Sequence, residues 1–117
     1  MMYRGRAYVE FDETGKPIRV FRNEFTASTS EAWKAGRVKE YPRKDAVAGI
    51  RIQIFERAKN SCENCGKLLT FGTMQMDEKI PRSKGGEISV FNSWALCHNC
   101  HTKKHNRIPK WTAIKSI

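Results

Sequence analysis

Four cysteines constrain this chain more than any other residues. They stand in two matched pairs, Cys62-Glu63-Asn64-Cys65 and Cys97-His98-Asn99-Cys100, separated by 31 residues. A two-residue spacer lets one tight turn aim two sulfurs at a common point. Gly66, directly after the first pair, suits the positive φ that such a turn often needs. Four thiolates complete a tetrahedron around a soft cation and leave no open position, so the spacing predicts a structural Zn²⁺ site. Two disulfides or a redox dithiol are the alternatives, and both fit a double pair in a reducing compartment poorly.

With 117 residues the chain is long enough for one small domain with a modest core, a size at which a metal is a common supplement. Lys and Arg number 22 against 12 Asp and Glu, giving a net charge of +10. Such an excess points to a polyanion, nucleic acid before a membrane surface, with a plainly solvated charged surface as the bland alternative. No stretch approaches the roughly 18 apolar residues of a membrane span. No apolar segment follows Met1-Met2-Tyr3-Arg4-Gly5-Arg6 as it would in a signal peptide. The expectation is a cytoplasmic location with reduced thiols and no membrane partner.

Along the chain, residues 6–11 and 17–22 alternate and are rich in β-formers, with turn chemistry at Asp12-Glu13-Thr14-Gly15-Lys16, which predicts an N-terminal β-hairpin. Residues 23–45 are polar and mixed. Ser30–Ala35 suits a short helix, and Tyr41-Pro42-Arg43-Lys44 reads as a linker. Lys34, Arg37, Lys39, Arg43 and Lys44 are equally suited to tracking phosphates or to a solvated loop. From Asp45, expected as the N-cap, Val47, Ile50, Ile54 and Ala58 recur at helical steps, although Ile50–Phe55 alone would also suit a strand. Residues 73–77 and 93–97 read as short strands, and residues 98–107 as a basic helix ended by Pro109. The expected organisation is an extension and linker over 1–45, a core over 46–110 and a tail over 111–117, compact as a whole.

Between the cysteine pairs lies a polar stretch with chemical character. Asp77-Glu78 precede the basic, glycine-containing run Pro81-Arg82-Ser83-Lys84-Gly85-Gly86. Asn92 follows, and His101 stands immediately after Cys100 with Lys103, Lys104 and His105 behind it. Taken singly, each of these is more often a surface acid, a solvent-facing histidine or a charged helix end. Their joint occurrence between two cysteine pairs is far more specific. The arrangement Cys62-x-x-Cys65-Gly66, Asp77, Pro81–Gly86, Asn92, Leu96-Cys97-x-x-Cys100-His101, Lys104 resembles the HNH endonuclease family, over about residues 57–105.

The resemblance implies an α+β fold with a ββα-metal motif, stabilised by the zinc of Cys62, Cys65, Cys97 and Cys100 and extended by the N-terminal hairpin. It implies that Asp77 and His101 hold a catalytic divalent cation, Mg²⁺ or Mn²⁺. Some relatives use a third ligand at the position of His105. Asn92 is expected to hold the loop by side-chain-to-backbone bonds. Where the family has its first histidine, the general base, this chain has Glu78. A glutamate, with an ordinary pKa of about 4.3 against about 6.5 for histidine, is a weaker base. At a Brønsted slope of about one half, the difference costs roughly tenfold in rate rather than activity itself.

Arg82, Lys84, Lys103, Lys104 and Arg107, with Lys110 beside them, are expected to contact DNA phosphates. His98 is read as a bystander, and Trp94 and Trp111 as packing residues. The resemblance thus implies a DNA endonuclease that nicks one strand per site, as a monomer or weak dimer, and places small free-standing members among phages, some beside DNA-packaging proteins. A catalytically weak zinc-stabilised DNA-binding module is the main alternative. An RNA-binding scaffold is a third, which the lack of an aromatic-rich binding strand disfavours.

Overall fold

Turn chemistry at Asp12 starts the fold. In the computed structural model of the protein, which describes residues 5–106, the Asp12 carboxylate accepts bonds from Thr14 N, Thr14 Oγ1 and Lys16 N at 2.8, 2.6 and 3.0 Å. The Thr14 hydroxyl, followed by the Lys16 N–H, holds this carboxyl below the ordinary range. The turn joins β1 (Arg6–Phe11) to β2 (Pro17–Phe21), which pair antiparallel with a register shift at Glu10/Phe11. The expected hairpin is therefore present.

Two short helices follow, α1 (Glu24–Ser28) and α2 (Glu31–Lys34), capped by the side chains of Asn23 and Ser30. The second matches the short helix expected near Ser30–Ala35; the first has no counterpart in the sequence reading. The expected linker at Tyr41–Lys44 is not a linker. β3 (Val38–Pro42) pairs antiparallel with β1, from Arg6 opposite Pro42 to Glu10 opposite Val38, and α3 (Arg43–Arg57) begins at once. Lys39 and Glu40 are exposed and β3 lies at the sheet edge, so its sequence lacks the apolar signature of a central strand. Pro42, at the strand end, occupies the N-cap position of α3. Asp45, expected there, lies in the first turn, where its charge complements the helix dipole. Arg37 and Arg43 are structural: they donate to the carbonyls of Phe11, and of Arg6 and Arg22, respectively.

The ambiguous run Ile50–Phe55 is helical. Ala46, Val47, Ile50 and Ile54 fall on the buried face of α3, which packs on β1, β2 and β3 and reaches the opposite half of the molecule. There β4 (Gln75–Glu78) pairs antiparallel with β6 (Ser93–Leu96), and α4 (His98–Asn106) packs on both. This is the expected ββα unit. Between its strands the chain makes a 3-10 turn at Arg82–Lys84 and a two-residue strand β5 (Ile88–Ser89). β5 is too short to show periodicity, yet it completes a sheet of order β3-β1-β2-β5. One buried cluster runs from Ala7, Val9 and Val20 through Ile50 and Ile54 to Met74, Ala95, Leu96 and Cys97. No described helix is long and apolar enough to cross a membrane.

Ile50 is fully buried where α3 joins this shared core. Ile50→Ala is expected to cost about 2–5 kcal/mol, through lost burial and the cavity left behind. Urea unfolding should show this as a lower midpoint at an unchanged slope.

Candidate metal and catalytic site

α3 delivers the chain to the first cysteine pair through a strained exit. Lys59 and Asn60, neither of them glycine, take positive φ values of 54° and 61°. The Asn60 carbonyl accepts from Leu69 N at 2.7 Å, Ser61 bridges to Leu68, and Cys62 N donates to the Lys67 carbonyl at 2.8 Å. Residues 62–67 thus form a knuckle in which Gly66 has φ 84°, as the sequence requires. The second pair stands where β6 passes into α4. The four sulfurs, one from each cysteine, lie within 4.8 Å of one another, with Cys65 and Cys97 at 3.8 Å. A tetrahedron with metal–sulfur bonds of about 2.3 Å has edges of about 3.8 Å, the Cys65–Cys97 distance, so the cluster is close to the size that one ion needs.

The thiols themselves are unevenly disposed to ionise. Burial opposes ionisation of Cys62, but N–H groups of Cys65, Cys97 and Asn64 outweigh it and bring the thiol down to about 6. Cys100 is pushed up to about 12, by burial first and then by the Cys97, Cys65 and Cys62 thiols, with the Asn64 side chain partly opposing. Cys62 is thus poised to ionise and Cys100 is not, so a cation bound among the sulfurs would favour the thiolate form of Cys100.

A second set of bonds pins the knuckle, and the sequence reading missed it. Arg57 grips the Glu63 carboxylate with Nε and Nη2 at 2.9 and 2.7 Å. It also donates to the carbonyls of Val90 and Ser93 at 2.6 and 2.8 Å. Glu63 in turn accepts from Ala95 N and donates its own N–H to the Ala95 carbonyl, both at 2.8 Å. The only hint in the sequence was an acid inside the Cys62–Cys65 spacer, six residues after an arginine.

On α4, His101 and Lys104 are three residues apart and face β4 together. His101 Nε2 lies 3.8 Å from Asp77 Oδ1. Two donors at that separation can share one cation with bonds of about 2.1 Å. Lys104, expected as a surface phosphate contact, is instead buried, with Nζ 2.6 Å from Asp77 Oδ2 and 3.0 Å from the Glu78 carbonyl. Glu78 closes β4. Its carboxyl is raised above the ordinary range, by burial first and then by Asp77, with Lys104 pulling the other way. Its carboxylate accepts no hydrogen bond among the described residues. Nor is it gathered with Asp77 and His101 as a third donor; among the described residues the cysteines form the only such cluster.

Asn92 ties the loop that follows β4. Its side chain accepts from Ile80 N at 2.9 Å and donates to the carbonyls of Ile80 and Glu87 at 3.0 and 2.8 Å. The loop it ties, residues 79–91, is held from the other side by the N-terminal sheet. β5 pairs with β2, Val90 N donates to the Ile18 carbonyl at 2.9 Å, and Arg19 bonds Glu87 at 3.0 Å. Gly86 passes so close to the Ile80 carbonyl that a Cβ would overlap it. Arg82 and Lys84 are exposed on the 3-10 turn of this loop, and Lys103 is exposed on α4. His98 is exposed, 3.3 Å from Gln75 Nε2. Trp94 is half-buried and packs against the core, with Lys79 Nζ 5.7 Å from its ring centre. The side chain of His105 and the residues Arg107, Pro109, Lys110 and Trp111 lie outside the described residues.

Residues 62–107 match the family described as HNH endonuclease. The chain is 36% identical over 62 residues, 48% of its length, to the Type IV methyl-directed restriction enzyme EcoKMcrA of Escherichia coli, covering 22% of that protein. It is 35% identical over 57 residues, again 48% of its length, to the CRISPR-associated endonuclease Cas9 of Corynebacterium diphtheriae, covering 5% of it. The chain therefore spans less than a quarter of the length of either relative.

Asn92→Ala would leave the Ile80 N–H and two carbonyls without their partner, at a cost of about 1–3 kcal/mol for each group left buried. The expected outcome is faster hydrogen exchange at the Ile80 amide, with protection of Ile50 and Ile54 on α3 preserved.

Proposed function

The chain carries an HNH endonuclease domain over residues 62–107, and from that premise we propose that it is a divalent-cation-dependent DNA endonuclease that nicks one strand of a duplex per site. The observation that carries the reading is the convergence of Asp77 and His101 at 3.8 Å, on a strand and helix framed by the cysteine cluster. Cys62, Cys65, Cys97 and Cys100 would hold a structural zinc that keeps that frame closed. Asp77 and His101 would hold Mg²⁺ or Mn²⁺. When bound, this cation supplies positive charge for the scissile phosphate and the leaving 3′ oxygen.

Glu78 takes the proton of the attacking water. Burial first, and then Asp77, raises its proton affinity, with Lys104 opposing, which makes it a better base than an exposed glutamate. Asn92 keeps the loop and the end of β4 in register, so that water, phosphate and base meet in a fixed geometry. Arg82, Lys84, Lys103 and Arg107 contact DNA phosphates, in keeping with the net charge of +10. One such centre attacks one phosphodiester, so a monomer leaves a nick with 5′ phosphate and 3′ hydroxyl ends. A double-strand break needs two copies or two events. Such a protein works in the cytoplasm, and phage DNA-packaging proteins are suitable neighbours for it. A zinc-stabilised DNA-binding module remains the second reading, favoured by the glutamate at the position of the base.

Plasmid relaxation with Mg²⁺ or Mn²⁺ separates the two. His101→Ala should abolish nicking, and Glu78→Ala should reduce it by about 10²-fold or more. Glu78→His should retain or raise activity at neutral pH. DNA binding without metal-dependent nicking in clean wild-type protein would establish the binding module instead. Elemental analysis should find one zinc per chain, and Cys62→Ser should lose both the zinc and the cooperative thermal transition.

A further inference from the structure

His101 and Lys104 divide the carboxylate of Asp77 between them. Lys104 Nζ lies 2.6 Å from Oδ2, and His101 Nε2 lies 3.8 Å from Oδ1. The ammonium also donates to the Glu78 carbonyl at 3.0 Å, so both of these contacts are to the end of β4. The Lys104 side chain is 8% exposed and that of Asp77 11%. A lysine that grips DNA phosphates keeps its head in water. This one has lost its hydration and depends on partners at close range to offset that loss. Lys103, next to it in sequence, is exposed, so the helix presents one lysine outward and turns the other into the site.

We propose that Lys104 is a positioning residue of the nuclease centre. It fixes Asp77 so that Oδ1 alone is turned towards His101, and its charge moderates the pull of the Asp77–Glu78 pair on a divalent cation. The inference rests on the reading of Asp77 and His101 as cation ligands. Two physical consequences follow from a fixed ammonium on one carboxylate oxygen. Asp77 offers the cation a single oxygen of set direction rather than a swivelling pair. The neighbouring positive charge weakens cation binding, by tenfold or more at the few-ångström separations and effective dielectric of such sites. Lys104 thereby keeps the Asp77 carboxylate and the Glu78 backbone in place when no cation is bound, at the expense of affinity when one is.

Mn²⁺ titration of zinc-loaded protein, followed by calorimetry and by the electron paramagnetic resonance of free Mn²⁺, tests this on wild type, Lys104→Met and Lys104→Arg. Lys104→Met should bind Mn²⁺ about tenfold tighter or more, and its nicking should half-saturate at lower Mn²⁺ with a reduced kcat. Lys104→Arg keeps the charge and should stay near wild type in Mn²⁺ affinity. If Lys104→Met does not fold, Lys104→Gln, which retains a donor for the Glu78 carbonyl but not the charge, carries the same expectation. Mn²⁺ affinity that is equal to or weaker than wild type in the neutral variant, with zinc content and circular dichroism unchanged, overturns the proposal alone. Wild-type protein that binds zinc but no Mn²⁺ overturns the assignment of Asp77 and His101 as ligands, and this proposal with it.

Discussion

The convergence of four sulfurs within 4.8 Å is the constraint on which the remaining geometry rests. The first two come from a knuckle after α3, and the last two from the junction of β6 and α4. Joining them closes a long excursion of chain, a closure that is entropically unfavourable unless something strong holds its ends. Once closed, the direction of α4 is fixed at its first turn, because Cys97 and Cys100 bracket it. His101 follows Cys100 directly and has no freedom to leave the face that looks onto β4. The opposite shifts of Cys62 and Cys100 add that a cation among the sulfurs would favour the thiolate form of Cys100.

Around that anchor two polar clamps convert a closed loop into a defined one. Arg57 and Glu63 tie the exit of α3, the knuckle and β6 together, so the cysteines are positioned by protein as well as by one another. Asn92 does the same for the loop after β4. Both clamps use side chains to satisfy backbone groups that no regular ladder reaches, which is how irregular chain can be held without a large apolar core. The N-terminal sheet has a clear part in this. By pairing β2 with β5 and setting Arg19 on Glu87, it holds the far side of the loop that carries Arg82 and Lys84. Residues 6–42 are therefore structurally coupled to the candidate site.

The site concentrates opposing charge in little space. Asp77 and Glu78 are adjacent and half-buried, Lys104 is inserted beside them, and His101 completes the group. An apolar core would not tolerate this arrangement unpaired. Its presence at the edge of the ββα unit, in a domain that matches nucleases, is what turns a stability liability into a functional reading. Glu78 takes part in this concentration of charge: burial first and then Asp77 raise its carboxyl above the ordinary range, and Lys104 pulls it down.

The sequence by itself determined the cysteine cluster, the hairpin, the helix leading into the knuckle and the identities of Asp77, Asn92 and His101. The cysteines, hairpin and helix are written in spacing, periodicity or turn chemistry, which are local signals, whereas Asp77, Asn92 and His101 stand out through the resemblance to HNH endonucleases. Tertiary structure decided what those signals do not encode. β3 and β5 are edge strands whose residues pair only because β1 and β2 offer them backbone partners, so Tyr41–Pro42 looked like a linker. Lys104 belongs to the motif and Lys103 does not, yet both read as surface phosphate contacts in the sequence, and only the rotation of α4, set by Cys97 and Cys100, sends one to solvent and the other onto Asp77. Glu63 looked like a spacer because its partners, Arg57 and the Ala95 amide, meet it only after the knuckle closes. Local pattern names the chemical groups; which groups lose water and face one another is fixed by packing between segments far apart in the chain.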